Sequence, residues 1–386
     1  MKRSDELLEK SNQVVRNNIS WLITSDIRIK SGPNKGAIYG WMNLKPKSFP
    51  FIYSEITGYA ISCFSWIASE FGNQVALDAA KEALDWIRKN MQSNLLIARP
   101  PASRAEPNEL SRMFYSFDNS MVMIGLLNLY KITKKPSILQ LVETMTQALV
   151  ERFFDGEKLV PRLDSSFKSI KPTEDIGVVK WSTIPGAYHC KFSLGLLELS
   201  ELTGNNEYVR VSNSLCEYAE KMQKDSGEFI TNPGSDIVHL HPHLYACEGL
   251  IYSGMKLSNE SHYAAGLKGI KWAMEQVDLN GNGGLFRDTG KASIEQSDCT
   301  AQLLRLLILC RSDLEKVRKS NLSQVINRLH FRLFEFYIPA GEGRGAMRYQ
   351  FLKETACSWC TMFSMQALSL WSSRNSRKLQ WIDYFV

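Results

Sequence analysis

Carboxylates, histidines and tyrosines recur in this chain where long apolar segments begin. Ser54-Glu55-Ile-Thr-Gly-Tyr59 sets a carboxylate in the first turn of one segment, with Tyr59 a turn below it. Phe117-Asp118 sets another, His189 holds the corresponding place in a third, and Glu248 lies a turn or two into a fourth. Asp298 opens a fifth, and Glu354, followed by Trp359, stands at the sixth. Two carboxyl groups facing one bond can act as a general acid and a base or nucleophile. Acidic residues are also ordinary helix-start chemistry, favoured by the helix dipole by about 0.3–1 kcal/mol. Their coincidence at one mouth therefore carries the reading, with Glu55 and Asp118 as the leading catalytic pair and His241 and Asp298 as alternates or substrate ligands.

His239-Leu-His241-Pro-His243 is the densest cluster of groups that titrate near neutrality. Alternate residues on an extended strand share a face, so a zinc site is one option. No carboxylate or further ligand is placed beside it, so no metal is expected and no cofactor is required. Aromatic residues gather around the same segment starts, Trp41 and Trp181 being the best platforms for a flat apolar face. Tyr59, His189, His243, Tyr245, Glu248, Arg344 and Tyr349 complete the expected substrate contacts. Basic loop residues (Arg99, Arg104, Arg162, Lys180, Arg287, Arg344, Arg348) suit either an anionic substrate or a solvated surface.

Helical periodicity supplies the elements that would position these groups. Segments near 5–23, 74–91, 136–154, 207–223, 260–277 and 322–338 are amphipathic. Segments near 54–71, 117–133, 188–203, 243–257, 296–311 and 355–372 are apolar or small nearly all round. A helix apolar all round is buried, whereas an amphipathic one keeps a wet face. Alternating the two kinds predicts an all-α toroid, an outer ring of wet helices around an inner ring, as one domain over residues 1–386. Long loops lead into the inner segments, so all six inner N-termini point to one face, where orphan N–H groups and dipole ends collect. Gly58, Gly125, Gly195, Gly249 and Ala301 fit close packing at the axis. A Gly-bearing turn recurs at 32, 155, 225, 278 and 341, the signature of an internal repeat. Asp278-Leu-Asn-Gly-Asn-Gly begins like a calcium loop but has Thr289 at position twelve, and reads as that same turn.

Composition narrows the classes. A net charge of +6 without a dense Lys/Arg block argues against nucleic acid. The nearest apolar run, 303–310, is short and broken by Arg305, so no membrane insertion is expected. The first residues show no secretory signal, and the eight cysteines sit in helical segments as reduced hydrophobes, which predicts a cytoplasmic protein. Cys357-Ser-Trp-Cys360 has no second pair nearby and reads as packed helix.

The junction Leu194-Gly-Leu-Leu-Glu-Leu-Ser-Glu-Leu-Thr-Gly-Asn-Asn-Glu-Tyr and the phrase His241-Pro-His-Leu-Tyr-Ala-Cys-Glu-Gly-Leu resemble the six-hairpin glycosidase-like superfamily, the (α/α)6 toroids. These include glycoside hydrolases, unsaturated-uronyl hydrolases, polysaccharide lyase domains and sugar 2-epimerases. Relatives often carry Arg where this chain has Glu248. The resemblance, over nearly the whole chain, implies an (α/α)6 barrel and a carbohydrate-active enzyme acting on an oligosaccharide or polysaccharide. Hydrolysis by paired carboxylates leads. A lyase or epimerase using His241 or His243 with Tyr245 or Tyr59 is the alternative, and a non-catalytic glycan-binding or assembly protein is a third.

Overall fold

The computed structural model describes residues 2–100, 112–170, 181–230, 238–277, 287–288, 291–292, 295–317 and 321–373. The helices in chain order are α1 (Lys2–Thr24), α2 (Ser54–Phe71), α3 (Gln74–Asn90), α4 (Ser116–Thr133), α5 (Pro136–Phe153), α6 (Ser193–Thr203), α7 (Asn206–Lys221), α8 (Leu240–Leu257), α9 (Glu260–Glu275), α10 (Ser297–Leu309), α11 (Arg311–Val317), α12 (Leu322–Phe336) and α13 (Ser358–Ser372). A 3-10 segment, Ala187–Phe192, leads directly into α6. Short strands β1 (Trp41–Leu44), β2 (Lys47–Ser48), β3 (Phe114–Tyr115), β4 (Arg162–Leu163), β5 (Arg287–Asp288), β6 (Lys291–Ala292) and β7 (Thr355–Cys357) lie in the connections.

Burial sorts the helices as the periodicity predicts. In α3 the buried residues Ala76, Ala79, Ala80, Ala83, Leu84, Trp86 and Ile87 form one stripe. In α2 every residue from Ser54 to Ile67 is buried except Glu55. The inner ring runs α2, α4, α6 with its 3-10 lead, α8, α10, α13 and back to α2, and the outer helices pack behind it. Among the described residues no helix is long and apolar enough to cross a membrane.

Short inner-to-outer turns share one design. A left-handed residue ends the inner helix and an asparagine caps the outer one: Gly72 then Asn73, Gly204 then Asn205, Ser258 then Asn259. Where asparagine is missing, Pro136 opens α5 instead. At the axis α2 and α4 cross with almost no room. A Cβ on Gly58 would stand 2.7 Å from the Val122 Cα, and one on Gly125 would stand 2.3 Å from the Gly58 carbonyl oxygen.

The ring closes on itself. β1 pairs antiparallel with β7, joining residues 41–43 to 355–357. Gly345, at φ 95°, presses its α-carbon against α1, where a Cβ would meet the Asn17 carbonyl oxygen at 2.6 Å. Asn18 Nδ2 donates to the Gly345 carbonyl at 2.6 Å, and Ser11 Oγ lies 2.8 Å from His330 Nε2. The first and last helices therefore form the sixth hairpin across the chain termini.

Candidate active site

Four inner helices, α2, α4, α10 and α13, begin with a buried serine: Ser54, Ser116, Ser297 and Ser358. Each serine bonds the loop of the next repeat twice. Their amides donate to the carbonyls of Ala98, Pro161, Tyr349 and Gly40 at 3.0–3.1 Å. Their hydroxyls donate to those of Ile97 (2.6 Å), Pro161 (3.2 Å), Arg348 (2.6 Å) and Gly40 (2.5 Å). The last of these stitches repeat six to repeat one.

This stitching fixes where the second helical residue points. Second residues in the six inner elements are Glu55, Phe117, Tyr188, His241, Asp298 and Trp359. Glu55, His241, Asp298 and Trp359 line one cleft of about 360 Å³ at the barrel mouth. Phe117 and Tyr188 back its wall, their rings 6.1 and 4.9 Å from Trp181. Trp41, Trp181, Tyr53, Tyr349, Tyr59 and Arg99 also face the cleft.

Within it, Asp298 is held from both sides. Trp359 Nε1 donates to Oδ2 at 2.9 Å and the Cys299 amide to Oδ1 at 2.8 Å. His241 Nδ1 lies 3.9 Å from Asp298 Oδ2 and 2.6 Å from Gln302 Oε1. Burial lowers the His241 pKa below its usual value, partly countered by Asp298. Tyr59 Oη donates to Glu55 Oε1 at 2.8 Å and contacts Tyr245 Oη at 2.6 Å.

The structure brings Glu55, His241 and Asp298 together and leaves Asp118 out. Asp118 is the third residue of α4, about 100° round the helix from the second-residue position. It is buried behind the wall, where its charge opposes ionisation of Tyr53 and Tyr188. Phe117 has the equivalent of the Glu55 position.

The histidines also sort by helix geometry. The stretch read as a strand instead begins α8, with His239 as its N-cap. Residues two apart on a helix diverge, so His241 and His243 cannot share a metal. His243 faces α9, with Nε2 3.0 Å from the Gly269 carbonyl and Nδ1 accepting from the Phe229 amide at 3.3 Å. Burial lowers its pKa to about 4. His189 is likewise buried, 3.1 Å from Ser116 Oγ, and lowered to about 3. Neither lines the cleft. Glu248 and Tyr245 lie deeper along the axis, both fully buried. Arg344 is exposed in the turn that docks on α1 and does not reach the cleft. Of the basic loop residues, Arg99 alone among those described faces the cleft, stacked 3.8 Å from the Phe51 ring centre. Arg104, Lys180 and the calcium-like stretch 278–286 lie outside the described residues, and nothing is described of the Arg287 side chain.

One group could approach a cation: His241, Asp298 and Cys299 offer donor atoms within 4.8 Å of one another. The fit is poor. Both Asp298 oxygens already accept protein N–H donors, from Trp359 and the Cys299 amide, and His241 Nδ1 lies 2.6 Å from Gln302 Oε1, so these donors are engaged by the protein. Cys357 and Cys360 are buried free thiols with raised pKa values, consistent with packing.

No family model matches the chain, and no curated protein sequence matches it. Solved structures do. A sugar epimerase from a ruminal bacterium superposes with a TM-score of 0.74 at 14% identity, over 96% of this chain and 99% of the other. A cellobiose 2-epimerase from Bacillus thermoamylovorans gives 0.72 at 12% identity, over 94% and 100%. A heparin-specific unsaturated glucuronyl hydrolase gives 0.65 at 12% identity, over 96% and 98%. The fold is a six-hairpin (α/α)6 toroid. At such identities the likeness is one of fold, as the closed ring of hairpins requires.

Proposed function

We propose that this protein is a carbohydrate-active enzyme that opens glycosidic bonds in an oligosaccharide or polysaccharide fragment, with Glu55 and Asp298 as the carboxyl pair. The observation that carries this reading is the convergence of Glu55, Asp298 and His241 with Trp41, Trp181 and Trp359 in one cleft. Glycosidic cleavage uses two carboxyl groups flanking the bond: one protonates the leaving oxygen, and the other activates water or attacks the anomeric carbon. Indole faces suit the C–H faces of sugar rings and exclude water around the reacting centre. The shared fold with sugar epimerases and a glucuronyl hydrolase supports this assignment. An anionic substrate is supported by Arg99, whose stacked guanidinium keeps its in-plane N–H groups available for an oxyanion. The eight cysteines, all free and buried, suit the cytoplasmic setting proposed for it.

A second reading, epimerisation or lyase chemistry, is favoured by one observation. Burial keeps His241 neutral near pH 7, so its imidazole can accept a proton from carbon beside a carbonyl or carboxylate. Three cleft tryptophans make binding directly visible. Titrating oligosaccharides, neutral and uronate-containing, should quench or shift intrinsic fluorescence, and Trp181→Ala should weaken binding. Absence of any saccharide response across both panels would refute the carbohydrate assignment.

A further inference from the structure

Below the ring of second residues the toroid axis carries two more layers. One turn down stand Tyr59, Tyr245, Gln302 and Phe363. Beneath them Lys191, Glu248, Arg305 and Gln366 form a fully buried polar layer inside an apolar core. Lys191 Nζ lies 2.8 Å from Glu248 Oε2, and Arg305 Nη2 lies 2.8 Å from Glu248 Oε1. Arg305 Nη1 donates to Gln366 Oε1 at 2.7 Å. Two cations thus share one buried carboxylate, an arrangement that desolvation penalises heavily. The charge of Glu55, above, also favours the Lys191 ammonium.

The link upward is geometric. Lys191 Nζ sits 4.2 Å from the Tyr245 ring centre and 5.9 Å from that of Tyr59. Tyr59 Oη has one proton, and it is committed to Glu55 Oε1. With Glu55 ionised, the proton in the 2.6 Å contact between the phenols is that of Tyr245. The result is a directed chain, Tyr245 to Tyr59 to Glu55. A cation against a phenol ring makes its O–H a stronger donor, and chained donors polarise one another in a low-dielectric interior. Donors to a carboxylate favour its charged form.

We propose that Lys191 is a positioning residue that acts on Glu55 through Tyr245 and Tyr59, holding Glu55 as the carboxylate. This rests on reading the cleft as an acid–base site. Titratable and charged groups around Glu55 include Tyr53 and Tyr59 from its own segment, Tyr188 and Lys191 from the 3-10 segment, Tyr245 and His241 from α8, Asp298 from α10, and Tyr349 and Arg99 from the loops, with Asp118 of α4 behind Tyr53. Lys191 is the cation placed against the phenols that reach Glu55.

The test follows the Glu55 carboxyl itself by infrared difference titration, its band assigned with Glu55→Gln. Lys191→Met and Tyr245→Phe should each raise the pH at which Glu55 ionises by about one unit, the size of one hydrogen bond to a charged group. The double variant should move it no further than the larger single effect, and Lys191→Arg should stay near wild type. In turnover, the acid limb of the kcat pH profile should move the same way with KM unchanged. Lys191→Met also uncovers Glu248, so a lower unfolding midpoint alone says nothing of the relay. If that variant does not fold, Tyr245→Phe, which removes a single oxygen, carries the test. An unmoved Glu55 titration in the folded variants overturns the proposal even if the enzyme acts on sugars. A moved titration without turnover on any saccharide sustains the relay and counts against the carbohydrate reading.

Discussion

At the scale of single residues, one position along a helix separates a carboxylate that faces the cleft from one that does not. Glu55 and Asp298 occupy second-residue positions and face the cleft, whereas Asp118 is third and faces the packing behind it. Glu55→Gln and Asp298→Asn should each lower turnover by about 10²–10⁴-fold, the usual cost of losing a general acid or base; the unfolding midpoint should hold in Glu55→Gln and fall in Asp298→Asn, where one of the two buried N–H donors loses its acceptor. Asp118→Asn should keep turnover within a few-fold of wild type, as measured by steady-state kinetics on the same substrate. Lys191 makes a separate prediction. Burial lowers its pKa from 10.5 to about 8, with Glu248 opposing the shift. Between those values the unfolded lysine holds a proton that the folded one has lost. The unfolded state then binds more protons, so the Lys191 contribution to stability rises with pH across about 8 to 10.5 and is least below 8. Urea unfolding at pH 7.5 and 9.5 should show that rise in wild type and lose it in Lys191→Met.

At the scale of elements, the alternation of wet and buried helices was legible because burial imposes a period on the sequence. Helices expected at 54–71, 136–154 and 260–277 are found at Ser54–Phe71, Pro136–Phe153 and Glu260–Glu275. Of the small residues expected to pack closely, Gly58 and Gly125 lie where α2 meets α4, Gly195 lies against Met123 and Ile124 of α4, and Gly249 lies against Cys190. Gly58→Ala should therefore destabilise by about 1–3 kcal/mol through overpacking, read from the urea midpoint. The serine at the head of four inner helices carried no signal of its own, since its partner is a carbonyl about 40 to 50 residues onward, or 318 residues back for Ser358. Read as a register mark, Ser54-Glu55, Ser116-Phe117, Ser297-Asp298 and Ser358-Trp359 would have shown Phe117 rather than Asp118 in the ring. The histidine stretch was misread for a related reason. Period two looks the same in a strand and in a helix start, and only the helix separates His241 from His243.

At the scale of the whole molecule, closure makes the site. β1 and β7 meet across the termini, and Ser358 ties α13 to Gly40 in the first repeat, so Trp359 and Trp41 share the cleft, 5.9 Å apart. The cleft works without a metal in this account, because the acid–base chemistry is assigned to its own side chains, Glu55, Asp298 and His241. Dialysis against a strong chelator should leave turnover and thermal midpoint unchanged, and a chelator-sensitive activity would reopen His241, Asp298 and Cys299 as ligands. The central claim, acid–base cleavage of a glycan in the aromatic cleft, is tested most directly by mass spectrometry. Wild type, Glu55→Gln and Asp298→Asn would each be incubated with a panel of neutral and uronate-containing oligosaccharides in deuterated water. The account predicts products heavier by one water per cut in wild type only, without deuterium fixed on carbon. An unsaturated product, or deuterium exchanged onto carbon without cleavage, would contradict hydrolysis, and equal cleavage by all three proteins would remove Glu55 and Asp298 from the chemistry.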